Sequence, residues 1–419
     1  MQFFRADTPQ FKNVVSNWMT KDLNLVSEWK GQFYSNTKSA ENDFFGLPSQ
    51  PPFYVGVDGM QSISEGLLHH LQQLHRNSSN SNGEEDVGDD NSDEEPILNV
   101  FTGTRVAEMQ RDDNTNKWFL SGVDGTPAYH DTPESKAKTL STENNRIGSK
   151  QGQKDGYDVV ILTDVSSSFG KWHRASAGVP QDFASRVREK VGARVPLFTA
   201  MIAFDTESGI PFDAASFEFE NNKTLWFAAK MNSKPMNGLL NRECWTLVST
   251  PEYAMKKIEE TPMQTKSGEF IPQSKEYLTS VPGPDLEKAF RKEITSTNGI
   301  LGDNALDVEN LPSTVFIDAQ RWGSAMPCHR HLDDKSKTRK MISGVHYDSG
   351  RAPLAPTKLE QRNPGIDTES TFLSDESLML FQAGDMMSSY TPGFESAALS
   401  GMDVAKSALI TLYKKHQLA

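Results

Sequence analysis

Apolar residues recur along this chain in two rhythms, one of helices and one of strands. Phe11, Val14, Val15 and Trp18 follow Thr8-Pro9 at helical spacing, which predicts a capped helix. "PPFYVGVDGM" predicts a short strand that ends in a glycine turn. Met60, Ile63, Leu67, Leu71 and Leu74 then predict a helix over 61–75. "LNVFTGTRVAEMQ" and "KWFLSG" flank the turn "RDDNTN" and read as a hairpin. "YDVVILTDV" is a continuous β-branched run, the pattern of a strand covered on both faces. "FTAMIAFD", "TLWFAAKM" and "ECWTLVST" are further strands, and 253–260 and 285–294 are helical. Leu378, Met379, Leu380 and Phe381 form a last strand that stops at Gly384-Asp385. The final helix puts Ala398, Met402, Ala405, Leu409 and Leu412 on one face. Strands and helices mix throughout, so the fold class is α/β or α+β.

Three polar stretches break this pattern, at about 77–96, 131–156 and 328–370. They carry too few apolar residues to offset ordering entropy and read as insertions or disordered loops. The chain has 419 residues, of which 36% are hydrophobic and 24% charged, enough for two domains or one large composite one. Its net charge of −13 excludes a nucleic-acid binder, which needs a basic face. Eight acids crowd residues 84–95, leaving only about −5 for the rest. That loop reads as a solvated insertion or as an interaction segment.

Cys244 and Cys328 cannot form a disulfide framework, which points to a reducing compartment, either cytoplasm or an organelle lumen or stroma. No apolar run reaches the roughly 18 residues of a spanning helix, so no membrane is expected. "MQFFRADTPQFK" has neither a signal-peptide core nor a transit-peptide composition.

The chemistry concentrates near the C-terminus. A strand that ends in Gly384-Asp385 sits where open α/β sheets place ligands. Gly384 admits a close approach, and Asp385 can accept hydrogen bonds from hydroxyls. Pro392-Gly393 leads into a helix whose first amides, around Ser396 and Ala397, form a positive pole. The same residues also suit a plain strand-loop-helix with a small packing face. Glu395 reads as an acid favoured by the helix dipole or as a functional base. "CHRHLDD" at 328–334, with His346, fits no standard zinc spacing, so no metal is assigned. His69, His70 and His75 lack the spacing of a helical metal face. The chain has no Walker loop, no G-x-S-x-G and no G-x-G-x-x-G.

Seven segments in order carry a family likeness: "YVGVDGM", "RVAEM", "YDVVILT", "LWFAAKMNSKP", "ECWTLVSTPEYA", "QRWGSAMP" and "AGDMMSSYTPGFESAALSG". Together they resemble renalase-like, FAD-dependent oxidoreductases of the flavin amine oxidase superfamily. The resemblance implies an incomplete Rossmann-type FAD-binding domain interleaved with an antiparallel-sheet substrate domain. It implies a substrate-domain helical segment at 1–50, an FAD-domain segment at 51–167, the substrate domain at 168–310 and a C-terminal FAD-domain segment at 311–419.

It also implies an FAD site. Gly384-Asp385 matches the acid near the ribityl-pyrophosphate. Gly393, Phe394, Glu395, Ser396 and Ala397 match the helix start at the flavin pyrimidine edge. Val106 and Thr163 match residues at the adenosine end. Trp322 matches a tryptophan close to the flavin ring, though any fold could use it as a core aromatic. Gly59-Met60 matches a turn near the isoalloxazine. The expected partners are dioxygen and a small donor, an amine or a dihydronicotinamide, oxidised by hydride transfer. No catalytic acid or base is required for that loss, and none is assigned.

The sequence also departs from the family. Relatives begin with a βαβ unit carrying G-x-G-x-x-G, so the resemblance implies that about 50–60 residues are missing. Val165, Val248 and Ser388-Ser389-Tyr390 replace a proline, a histidine and a Gly-Gly. The alternative is therefore a truncated or degenerate flavoprotein-like chain that holds no FAD alone.

Overall fold

A computed structural model describes residues 3–35, 43–44, 47–48, 52–80, 100, 104–124, 156–164, 178–191, 194–217, 222–235, 241–261, 273–327, 339–342, 345–348, 371–388 and 393–418. In chain order, the first part holds α1 (Pro9–Trp18), β1 (Val26–Glu28), β2 (Phe33–Ser35), β3 (Asp43–Phe44), β4 (Leu47–Pro48), β5 (Tyr54–Gly56) and α2 (Gln61–Asn80). Next come β6 (Thr104–Asp112), β7 (Lys117–Asp124), β8 (Val160–Leu162), α3 (Gln181–Val191), β9 (Arg194–Phe204), β10 (Ala214–Ser216), β11 (Leu225–Lys230) and β12 (Cys244–Ser249). The last part holds α4 (Pro251–Glu260), α5 (Lys275–Ser280), α6 (Pro282–Thr295), β13 (Thr314–Pro327), β14 (Arg339–Ile342), β15 (Val345–Asp348), β16 (Leu373–Asp375), β17 (Leu380–Gln382) and α7 (Phe394–Leu418). The class is mixed α/β, with antiparallel and mixed sheets.

The chain divides into two compact units. The smaller comprises residues 1–30, 51–102 and 232–240. Its α1 begins on Thr8, whose Oγ1 accepts the Phe11 amide at 3.1 Å, and Pro9 occupies a position that has no N–H to lose. The helix buries Phe11 and Val15. β1 and β5 pair antiparallel, and Phe3 packs on Trp29 and Phe53 with ring centroids 5.9 and 4.9 Å apart. Leu71 and Leu74 have the spacing of a buried face, but on α2 both are exposed.

Among the described residues, the larger unit contains an eight-stranded sheet, a three-stranded sheet and the two-stranded β3–β4 and β6–β7 ladders. In the eight-stranded sheet the order is β14-β15-β9-β12-β11-β10-β2, with β13 also paired to β9. One face of this sheet is a core of Phe198, Ile202, Phe204, Trp245, Leu247 and Ala319, closed by Tyr253, Leu278, Leu286 and Phe290 from α4, α5 and α6. The β14–β15 hairpin lies inside the stretch read from sequence as a polar insertion.

The second sheet has the order β16-β17-β8, and β17 runs parallel to β8. The β6–β7 hairpin and α3 cover one of its faces through Met109, Trp118, Phe183 and Val187 packed on Val160 and Leu380. The Trp118 indole donates to Leu378 O at 2.8 Å. α7 covers the other face through Val404 and Ala408 on Phe381 and Ala383. The run "YDVVILTDV" therefore yields a strand of only three residues. Its Ile161 is 39% exposed, so the expected cover on both faces is incomplete.

Candidate functional site

Two parallel strands bring their carboxyl ends to one edge of the small sheet. Gln382 stands opposite Leu162, and the Ala383 amide donates to Leu162 O at 2.8 Å. The next residues along are Thr163 on one strand and Gly384 on the other. Gly384 has φ +123, a conformation that strains any residue with a Cβ. A Cβ there would lie 3.5 Å from Thr163 O, so the two strand ends are nearly in contact. The chain turns at once, with the Met387 amide donating to Gly384 O at 3.0 Å.

Asp385 sits in this turn. Burial pushes its carboxyl up to about 6, while the amides of Met386 and of Asp385 itself pull it down. Its acceptor strength is thus set close to neutral pH.

α7 starts beside this edge. The Gly384 amide donates to Ser400 Oγ at 2.9 Å. Ser400 lies one turn along α7 from Ser396, a rise of about 6 Å. Gly393 has φ +139 and precedes the helix, and the Ala397 amide donates to Gly393 O at 3.0 Å. Glu395 and Ser396 are buried, Phe394 is half-buried and Ala397 is exposed. Ser396 Oγ is fully buried and finds no hydrogen-bond partner among the described residues. Such a group is costly unless something else bonds to it. The carboxyl edge of the parallel strand pair thus touches α7 at Ser400, one turn beyond the orphan Ser396 hydroxyl.

The structure thus brings Thr163 and Gly384 together and ties Gly384 to α7 through Ser400, while Gly393–Ala397 open that helix. Val106 lies on β6, half-buried against the cluster that includes Val160 and Met386, and its ladder has an irregularity between Val106 and Glu108. Trp322 is elsewhere in the larger unit, on the eight-stranded sheet opposite Leu197. Its indole donates to Thr199 Oγ1 at 3.0 Å and the side chain is 51% exposed, so it is not a core aromatic. Gly59 and Met60 belong to the smaller unit, in the turn that enters α2, where the Gly59 amide donates to Gly56 O at 3.0 Å.

Ser400 and Thr371 belong to the site, and reading the sequence missed both. The only sign of Ser400 is its place one turn after Ser396 in "ESAALSG". The segment 328–334, with its Cys and His, lies outside the described residues. Among the described residues no group of three or more His, Cys, Asp or Glu could hold a metal. No helix among them is long and apolar enough to cross a membrane.

No protein-family model matches the chain. No curated protein matches it either. Similar solved structures include a protein from Exiguobacterium sp. 255-15 provisionally named as a protoporphyrinogen oxidase, at 10% identity and a TM-score of 0.39, covering 86% of this chain and 53% of that one. Another is an oxidoreductase from Methanosarcina mazei, at 10% identity and a TM-score of 0.36, covering 85% of this chain and 56% of that one. The chain spans about half the length of these structures.

Proposed function

We propose that the chain is an FAD-dependent oxidoreductase. Its substrate is a small donor, an amine or a dihydronicotinamide, that gives up a hydride, and dioxygen is the final acceptor. The observation that carries this reading is the junction of Gly384-Asp385 with the buried, unpartnered Ser396 at the start of α7.

The residues present fit one part of FAD. Asp385, when ionised, accepts from polyol hydroxyls such as those of a ribityl chain. Gly384 leaves room for close approach, since a Cβ there would face only Thr163 O. The Ser396 hydroxyl and the first-turn amides donate to an electron-rich carbonyl edge. The part that would need a glycine-rich pyrophosphate turn has no counterpart, because the sequence contains no G-x-G-x-x-G.

Bound flavin would supply two-electron acceptance, the difficult part of the chemistry. The chain's own contribution is position and field. The pole of α7 stabilises negative charge at the edge it faces, without reorganisation. The reading assigns no proton transfer to any side chain.

The test is flavin binding by the purified chain. Native protein titrated with FAD should show flavin bands at about 370 and 450 nm and quenched flavin fluorescence. Ser396→Ala and Asp385→Asn should each weaken binding roughly tenfold, the value of one lost hydrogen bond to a polar ligand group. Protein that stays colourless in excess FAD, with flavin fluorescence unchanged, would leave the other reading standing. The chain would then be a flavoprotein-like shell that holds no FAD alone.

A further inference from the structure

α7 carries two apolar stripes. Val404 and Ala408 form the first and meet the small sheet at Phe381 and Ala383. Met402, Ala405, Leu409 and Leu412 form the second, with the alternating three- and four-residue spacing of a heptad seam. Met402 and Leu409 lie about 160° and 140° around the helix from Val404, on the side away from the sheet. Met402 is 46% exposed, Leu409 67% and Tyr413 65%, and Ala405 and Lys406 are exposed with them. The helix is not free to turn this stripe inward. Ser400 donates to Thr371 O, and the Thr371 hydroxyl donates to Asp403, which fixes its rotation. A contiguous exposed apolar stripe of this kind marks a contact surface.

We propose that this stripe is the contact surface of a homodimer, in which α7 lies antiparallel to α7 of a second copy about a two-fold axis between Ile410 and Thr411. That register sets Leu409 against the partner's Leu412 and Lys406 beside the partner's Tyr413, and symmetry makes each contact twice. A lysine ammonium over an exposed phenol ring is a stabilising pair. An axis half a heptad earlier, at Ser407, would instead set Lys406 beside the partner's Lys406. A parallel pair would bring the two C-terminal turns together, each with Lys414 and Lys415, and would align the two helix dipoles.

A foreign apolar helix would cover the same stripe but would leave the placing of Lys406 and Tyr413 unexplained. The stripe supplies both halves of its own complement, a cation and a ring seven residues apart, as an isologous contact requires. The paired stretch is about 16 residues or roughly 24 Å long, which is small for an obligate interface, so association should depend on concentration.

Sedimentation velocity of the native chain over roughly 1–100 μM should show a dimer fraction that rises with concentration. Leu409→Gln should be monomeric throughout that range, with unchanged circular dichroism. Lys406→Glu should weaken the dimer roughly tenfold, the loss of two cation–ring contacts. Mild oxidation of the Lys406→Cys/Tyr413→Cys double variant should link position 406 of one chain to position 413 of the other, as read by mass spectrometry. Links of 406 to 406 would mean a parallel pair and would overturn the proposal. A chain that stays monomeric across the range overturns it too, and leaves the stripe to a different molecule. So does a dimer indifferent to Leu409→Gln, which would place the contact elsewhere.

Discussion

The Gly384 amide and the Ser400 hydroxyl are joined by a 2.9 Å hydrogen bond, and the same hydroxyl donates to Thr371 O at 2.7 Å. One fully buried serine thus ties the end of β17 to the final helix and to the segment that enters β16. Ser400→Ala leaves an amide and a carbonyl without their partner in a site that excludes water. The expected loss is about 1–3 kcal/mol of folding stability. Urea or thermal unfolding measures it. A loss under about 0.5 kcal/mol would mean that the hydroxyl is not the tie between these elements.

Asp385 makes the site sensitive to pH. Its carboxyl is raised by burial from 3.8 to about 6. A raised value means that the fold penalises the ionised form. The contribution of Asp385 to stability is therefore full below about pH 4 and declines as pH rises through about 6. Across about pH 4 to 6 the stability of the native chain should fall relative to that of Asp385→Asn. Ligand acceptance runs the other way, because only the carboxylate is a pure acceptor. FAD affinity should rise between about pH 5 and 7 in the native chain and stay flat in Asp385→Asn. Glu293 is raised by burial as well, so the comparison is made between these two proteins and not on the native chain alone. Identical pH profiles for the two would remove Asp385 from the site.

The site was legible where its logic is local. A strand closing on Gly384-Asp385 and a helix opening after Gly393 are short-range patterns, and both hold in the structure. The Thr8 cap behaves likewise, accepting the Phe11 amide three residues on, and the structure adds Thr250 and Ser274 as caps of the same kind. Ser400 was not legible, because its partners lie 16 and 29 residues away. The large sheet's β14–β15 hairpin escaped notice because its strands are only four residues long and lie in a stretch rich in charge. Trp322 shows a further limit. It lies on a strand, but which face of a sheet stays open depends on what the rest of the chain covers.

Gly178 is the most constrained glycine near the small sheet. It has φ +82, and a Cβ there would stand 1.6 Å from Met109 O, inside the contact between the hairpin and the turn before α3. Gly209 has φ +70 but open space around its Cβ position. The pair separates strain from collision. Gly209→Ala should cost about 1–2 kcal/mol, the backbone penalty alone. Gly178→Ala should cost about 3–5 kcal/mol and sharply reduce soluble yield, because a backbone oxygen must move. Equal losses at the two positions would show that the hairpin yields easily and does not clamp the sheet.

The last helix turns a different side inward from the one its sequence suggests. Periodicity groups Ala398, Met402, Ala405, Leu409 and Leu412, yet the residues packed on Phe381 and Ala383 are Val404 and Ala408. Leu409 is 67% exposed, and Met402 and Tyr413 are exposed beside it. The orientation follows from two polar ties. Ser400 bonds to Thr371 O and the Thr371 hydroxyl donates to Asp403 at 2.6 Å, which rotates α7 toward β16. Hydrogen bonds that would otherwise be lost outweigh burial of a second apolar stripe. Val404→Ala should therefore cost about 1–3 kcal/mol, while Leu409→Gln should change stability by less than about 0.5 kcal/mol in the monomer. Chemical denaturation at low protein concentration decides it. If Leu409→Gln is the costlier change, the sequence pattern was the better guide and α7 is turned the other way.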